Sequence, residues 1–199
     1  MTHDLFLALL GFAFVTSVTP GPNNMMLLAS GVNFGFRRTL PHMLGITSGH
    51  SLMVFLVGLG IAGLFKAWPP AVTGLKLVSV GYMLWLAWKI AHAGAPGQGR
   101  ARPRPMTFLQ AAAFQWVNPK AWAMSLGAVT AYVATPSAAS YLAVAATFAS
   151  VNLPSVSLWA AAGQGLRRWL DAPGRLRAFN WTMAALLVAS LYPVLTLRM

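Results

Sequence analysis

The sequence predicts an all-α membrane protein, six transmembrane helices arranged as two inverted three-helix repeats with both termini outside, in the periplasm. Three observations carry that reading. Hydrophobic residues fill 57% of the 199 positions and charged residues only 8%, where a soluble domain carries about 25%. Six apolar stretches reach the roughly 20 residues that a helix needs to cross hydrocarbon. A Gly/Pro/Arg segment divides them three and three.

The stretches run over residues 5–31, 41–65, 72–92, 107–134, 138–163 and 178–197. They are continuous rather than alternating at period two, which excludes a porin-like barrel. The start, Met1-Thr2-His3-Asp4, lacks a positive n-region and the apolar stretch behind it is too long for an h-region, so the first stretch reads as a retained span. Ala93 to Pro105 reads AGAPGQGRARPRP, with no apolar period. It is a cytosolic linker, residues 93–106, between a repeat over about 1–92 and a second over about 107–199. Three spans per half invert the second half relative to the first, a layout of secondary transporters. Together they form one membrane domain.

Charge then gives orientation. Fourteen Lys and Arg stand against two acids, Asp4 and Asp171, a formal +12. In a soluble protein this would suggest nucleic acid; here the lipid bilayer is the expected partner and nucleic acid is not. Arg37, Arg38, Lys89, Arg100, Arg102, Arg104, Arg167, Arg168, Arg175 and Arg177 fall in the first, third and fifth loops, against Lys66, Lys76 and Arg198 on the other side. The positive-inside rule makes the ten-charge face cytoplasmic, where it meets anionic lipid. Trp68, Trp85, Trp88 and Trp169 lie near the predicted interfaces, as belt residues do. His42 and His92 also fall near interfaces.

Much chemistry is absent. No cysteine exists, which excludes a disulfide scaffold, a thiol nucleophile and a Cys-based zinc site. There is no HExxH, P-loop or GxSxG string, and no carboxylate inside any stretch for paired-acid catalysis or a metal cage. Neither an enzyme nor a bound cofactor or metal is expected. Transport driven by ATP would need a separate subunit.

Two stretches carry helix breakers. Thr19-Pro20-Gly21-Pro22-Asn23-Asn24 lies about fifteen residues into the first, roughly 20 Å along the helix. Pro20 and Pro22 remove donors and clash with the preceding turn, and Gly21 relaxes the backbone. Asn118-Pro119-Lys120 lies about eleven residues into the fourth. There Asn accepts from orphan amides and Pro fits the first helical position. Each break presents a half-helix N-terminus near the midplane, and two such ends facing one cavity suit an amino-acid carboxylate. Kinks repaired by neighbouring helices are the plainer reading.

Lys120 is the one cation deep in a span. It suits a substrate carboxylate or proton coupling, or else snorkels to an interface. His50 is either a proton carrier or a neutral histidine bonded to a neighbouring helix. Gly45 and Gly49, with Gly31 and Gly35 before them, let backbones approach closely, by packing alone or along the substrate path. Asn152 and Pro154 mark a further kink in the fifth stretch, with Ser155 and Ser157 facing inward. A cationic amino acid in low dielectric wants a carboxylate partner; none is present, so a neutral zwitterion fits better.

Several of these strings together resemble a known family. Thr19-Pro20-Gly21-Pro22-Asn23, Gly35-Phe36-Arg37, the Gly45/Gly49 pair, Tyr82 with Trp85-Leu86-Ala87-Trp88-Lys89, and Asn118-Pro119-Lys120 are similar to the lysine-exporter (LysE/RhtB) family of bacterial amino-acid exporters, over nearly the whole chain. TPGPNN, GFR, WLAWKIA and Phe114-Gln115-Trp116-Val117-Asn118 look most like its cysteine and O-acetylserine exporter subgroup. The resemblance implies an inner-membrane exporter of small amino acids or related metabolites, driven by the proton gradient. The family's lysine and arginine exporters carry an acid in span two, where this sequence has His50.

The expected substrate site therefore comprises Pro20, Gly21, Pro22, Asn23, Asn24, Gly45, Gly49, Gln115, Asn118, Pro119 and Lys120, with His50 and Lys120 as proton-coupling candidates. A non-transporting scaffold subunit, a passive channel and a membrane-embedded lipid-modifying enzyme are the alternatives. The small-residue faces are compatible with a homodimer.

Overall fold

Backbone placed in hydrocarbon must satisfy its own polar groups, and helices do so within one segment. In a computed structural model, which describes residues 1–61, 63, 67–68, 70–93, 104–170 and 172–192, every regular element is helical.

Helix α1 (His3–Val18) starts at Thr2, whose hydroxyl accepts from the Leu5 amide at 3.3 Å. It stops at Thr19, and α2 (Pro22–Phe34) resumes at an angle of 54°. Gly35, at φ +81°, then ends α2 and opens α3 (Phe36–Gly58), a left-handed conformation that glycine adopts without a Cβ penalty. Next come α4 (Pro70–Ala91) and the short α5 (Phe108–Phe114), begun by a reciprocal capping box between Thr107 and Gln110. A 3₁₀ turn (Gln115–Val117) leads to Asn118 and α6 (Pro119–Tyr132). After these, α7 (Ala138–Leu166) extends through a second 3₁₀ turn (Arg167–Trp169), and α8 (Pro173–Ala189) follows.

Each predicted stretch contains helix, but fewer than six pass as complete spans by length and composition. Among the described residues α3, α4 and α7 pass alone, and bent α1–α2 passes as a pair. The fourth stretch is divided into helices of 7 and 14 residues, and α8 has 17. Helix α3 starts at Phe36, before its apolar stretch, because Gly35 sets its first turn. His42 of α3 is buried among the helices, only 2% exposed. Pro154 does not break α7, which continues through it. Most of the linker, with Lys66, Arg100, Arg102, Asp171 and Arg198, lies outside the described residues.

Polarity is distributed as a lipid solvent requires. Leu7, Phe14, Leu77, Leu142 and Leu158 face outward, as do Trp68, Trp85, Trp88 and Trp169, while Asn24, Gln115, Asn118, Asn152 and Asn180 are buried. Helix α7 runs against α1, α2 and α3; α3 also packs on α5 and α6, and α4 pairs with α8. Phe114 brings the end of α5 against Met83 and Leu86 of α4 and Leu187 of α8.

Glycines set two of the closest contacts. A Cβ on Gly31 would strike the Ala160 carbonyl of α7, and one on Gly163 the Leu28 carbonyl of α2. On α3, a Cβ on Gly45 would meet the Phe108 carbonyl of α5, and one on Gly49 would lie 2.6 Å from Ala112 Cα. Small residues thus clamp both broken segments onto unbroken helices.

Candidate functional site

A helix that stops leaves its last four carbonyls without intrahelical donors. At the end of α1, Pro20 and Pro22 supply no amide, so donors come from elsewhere. The Thr19 amide reaches the Val15 carbonyl at 3.1 Å, and the Thr19 hydroxyl reaches that of Thr16 at 3.2 Å. Asn24, from the next helix, donates its amide to the Ser17 carbonyl at 2.9 Å and the Thr19 carbonyl at 2.7 Å. Trp159 of α7 donates its indole N–H to the Val18 carbonyl at 3.0 Å.

The last donor is Lys120 of α6. Its ammonium donates to the Thr19 carbonyl at 2.8 Å, the Thr19 hydroxyl at 2.9 Å and the Pro20 carbonyl at 3.3 Å. This places a cation at the negative end of the α1 dipole. Gly21 makes room for it. At φ −179° and ψ 178° its backbone is extended, a conformation open to any residue. A Cβ there would lie 2.8 Å from Lys120 Cδ. Gly21 is therefore not needed to relax the backbone, the role expected of it; its missing side chain provides the slot for the lysine stem.

The second break closes itself. Asn118 Oδ1 accepts from the Lys120 amide at 3.2 Å, Pro119 occupies the first turn, and the Asn118 amide donates back to the Gln115 carbonyl at 3.2 Å, the N-cap arrangement expected of Asn-Pro. The two breaks also touch through a reciprocal amide pair. Asn23 Nδ2 donates to Gln115 Oε1 at 2.9 Å and Gln115 Nε2 to Asn23 Oδ1 at 3.2 Å.

Between the breaks lies a cavity. Of the expected residues, Gly21, Asn23, Asn24, His50, Gln115, Asn118 and Lys120 line it. Pro20, Pro22 and Pro119 form the breaks themselves. Gly45 and Gly49 are elsewhere, turned against the α5 backbone, because that packing leaves them no free face. Thr16, Ser17, Ala121, Met124, Asn152 and Val156 complete the wall and were not in the expected set. A polar position in the middle of an apolar run was the available signal for Asn152. Its side chain accepts from Thr47 at 3.1 Å and donates to the Ser17 hydroxyl at 3.2 Å. Ser155, expected to face inward, is buried, and Ser157 is half-buried; both donate to carbonyls of their own helix, at Val151 and Leu153.

Lys120 is the one charged side chain among the described residues of that wall. His50 stands edge-on to Phe148, ring centroids 5.1 Å apart, with Nε2 3.4 Å from the Ser125 hydroxyl. Its Nδ1 has no partner among the described residues. The cavity has about 330 Å³ of empty volume, part of it open to the outside, but its walls leave room for only about one water.

Interrupted apolar helices that meet at a polar cavity are a layout found in membrane transporters. Residues 14–190 match the LysE type translocators, and the chain belongs to that family. It is 34% identical to the cysteine/O-acetylserine efflux protein of Salmonella typhimurium, over 94% of this chain and 96% of the relative. It is also 32% identical to the protein so named in Escherichia coli K12, with 94% and 96% covered, and 30% identical to that of Klebsiella pneumoniae, with 94% and 95% covered. No solved structure matches the chain.

Proposed function

We propose that this chain is a secondary exporter of small neutral amino acids or related metabolites across the bacterial inner membrane, driven by the proton gradient. In this reading the six stretches all span, as two inverted three-helix repeats joined by a cytosolic linker, with both termini outside. Substrate binds between the breaks, and rocking of the halves gives alternating access.

One observation carries the reading: the two breaks meet at a cavity walled by amides, hydroxyls and a single cation. Helix α2 begins at Gly21 without a side-chain cap, so its positive end is free to take a carboxylate. The α1 carbonyls at Thr19 and Pro20 suit an ammonium. The residues described as lining this wall include no acid, so a second positive charge on the substrate would find no counter-charge among them. The named relatives favour a short polar side chain such as those of cysteine and O-acetylserine. Asn23, Asn24, Gln115 and Asn118 orient the substrate, and His50 or Lys120 carries the coupled proton.

Vesicles containing the purified protein and loaded with labelled cysteine, O-acetylserine, serine or lysine test this. Saturable efflux of the neutral compounds, accelerated by an external acid pH and abolished by an uncoupler, is the expected result. Efflux no faster than from empty vesicles, or equal efflux of lysine, overturns it. Unchanged efflux in Asn118→Ala and Lys120→Ala removes the site.

A further inference from the structure

We propose that Lys120 is a tethered stand-in for the substrate's own ammonium group, a latch between α6 and the end of α1 that only a zwitterion can open. This deepens the export reading above and rests on it for the substrate class. Three observations carry the latch. Lys120 Nζ directs its three N–H donors at a ready set of acceptors, the Thr19 carbonyl, the Thr19 hydroxyl and the Pro20 carbonyl, at 2.8, 2.9 and 3.3 Å. Its stem lies against Gly21, where a Cβ would come within 2.8 Å of Cδ, so the chain keeps a slot for it. The cavity beside it admits about one water while the lysine is in place.

Those acceptors suit any primary ammonium equally well. An amino acid entering with its carboxylate toward the uncapped start of α2 brings a counter-charge for Lys120 and, on the same molecule, a replacement for it. The lysine swings to the carboxylate, and the substrate's α-ammonium takes the Thr19 and Pro20 acceptors. No carbonyl is left unpaired at the end of the exchange, and the site's net charge stays at one positive. An amine without a carboxylate displaces one cation by another and leaves two positives in a wall with no acid among its described residues, which low dielectric penalises heavily. A carboxylate without an amine draws Lys120 away and strands the carbonyls it served. Binding of a zwitterion therefore exchanges the lysine's tie between the two breaks for one that runs through the substrate, leaving the Asn23–Gln115 pair as the other, and so gates the parting of the walls.

Simple amines test the latch without any transport assay. Full-length protein in detergent is melted with and without n-propylammonium, propionate or tetramethylammonium, which has no N–H. Wild type gains nothing from any of them. Lys120→Ala melts lower and is rescued by n-propylammonium alone, saturably, by at least about 5 °C at a hundredfold excess over its Kd. Lys120→Met, which keeps the stem and loses the charge, is the second variant, with methylammonium as its probe. Rescue of either variant by its probe supports the latch. Failure of both, or equal stabilisation of wild type, overturns it. Vesicle efflux is scored separately: amine rescue in a protein that exports no amino acid sinks the export reading and keeps the latch, and normal export with no rescue does the reverse.

Discussion

The two breaks use similar residues, Pro20-Gly21-Pro22-Asn23-Asn24 in one and Asn118-Pro119-Lys120 in the other, yet they finish their helices in opposite ways. At the second, Asn118 caps α6 through its own side chain and returns its amide to Gln115, so the local sequence closes the break. At the first, two prolines leave the chain short of amides. The carbonyls from Ser17 to Pro20 depend on Asn24 from α2, Trp159 from α7 and Lys120 from α6. A self-capped break is a fixed wall. A break held by donors from three other helices is one whose partners can be exchanged, and that is where the proposed substrate ammonium would enter.

That contrast is broken most severely at Asn24. Its side chain is buried and supplies two of the borrowed donors. Asn24→Ala leaves the Ser17 carbonyl unpaired and Thr19 dependent on Lys120 alone. The expected loss is about 3 kcal/mol, the upper end for a buried group without a partner, read as a lower melting temperature in detergent. Asn24→Asp, of nearly the same shape but without the N–H, is expected to fall at least as far. Full stability in either variant would mean that water replaces the donor and that the first break is not donor-limited.

Packing gives the next largest effect. The second break is positioned from outside by Gly49, where an added Cβ would lie 2.6 Å from Ala112 Cα and 2.7 Å from the Ala112 carbonyl oxygen. Both are backbone atoms, so α5 must shift. Gly49→Ala is expected to cost about 2 kcal/mol, as overpacking does, and to slow efflux by displacing Gln115 at the end of α5. Gly74→Ala on α4, where nothing lies within 4 Å, is the control and should leave both readouts unchanged.

What could be read from the sequence follows the range of each interaction. The start of α6 was legible because Asn-Pro contains its own cap, and both interruptions were legible because prolines act within one turn. The destination of Lys120 was not: its acceptors lie 101 and 100 residues away, and nothing local to Asn118-Pro119-Lys120 distinguishes a lysine held by α1 from one open to a carboxylate. Gly45 and Gly49 were recognisable as a packing pair, but only the fold shows that the partner is α5 and that the cavity lies on another side. The early start of α3 was not legible, since Gly35 rather than the apolar pattern sets its first turn.

The smallest effect examines the direct bridge between the breaks. The Asn23–Gln115 pair joins them through two hydrogen bonds of 2.9 and 3.2 Å, while Gln115 Nε2 also holds the Ala111 carbonyl of its own helix at 2.9 Å. Removing Asn23 therefore leaves Gln115 partly satisfied, and bonds between membrane helices average only about 0.6 kcal/mol in double-mutant cycles. A cycle of Asn23→Ala, Gln115→Ala and the double variant should give a coupling near that value in stability. The transport readout should behave differently. If substrate parts the breaks, cutting a bond between them favours the open form, so the coupling in efflux rate exceeds the coupling in stability. Equal couplings in both readouts would make the pair ordinary packing and leave Lys120 as the one tie that the substrate has to release.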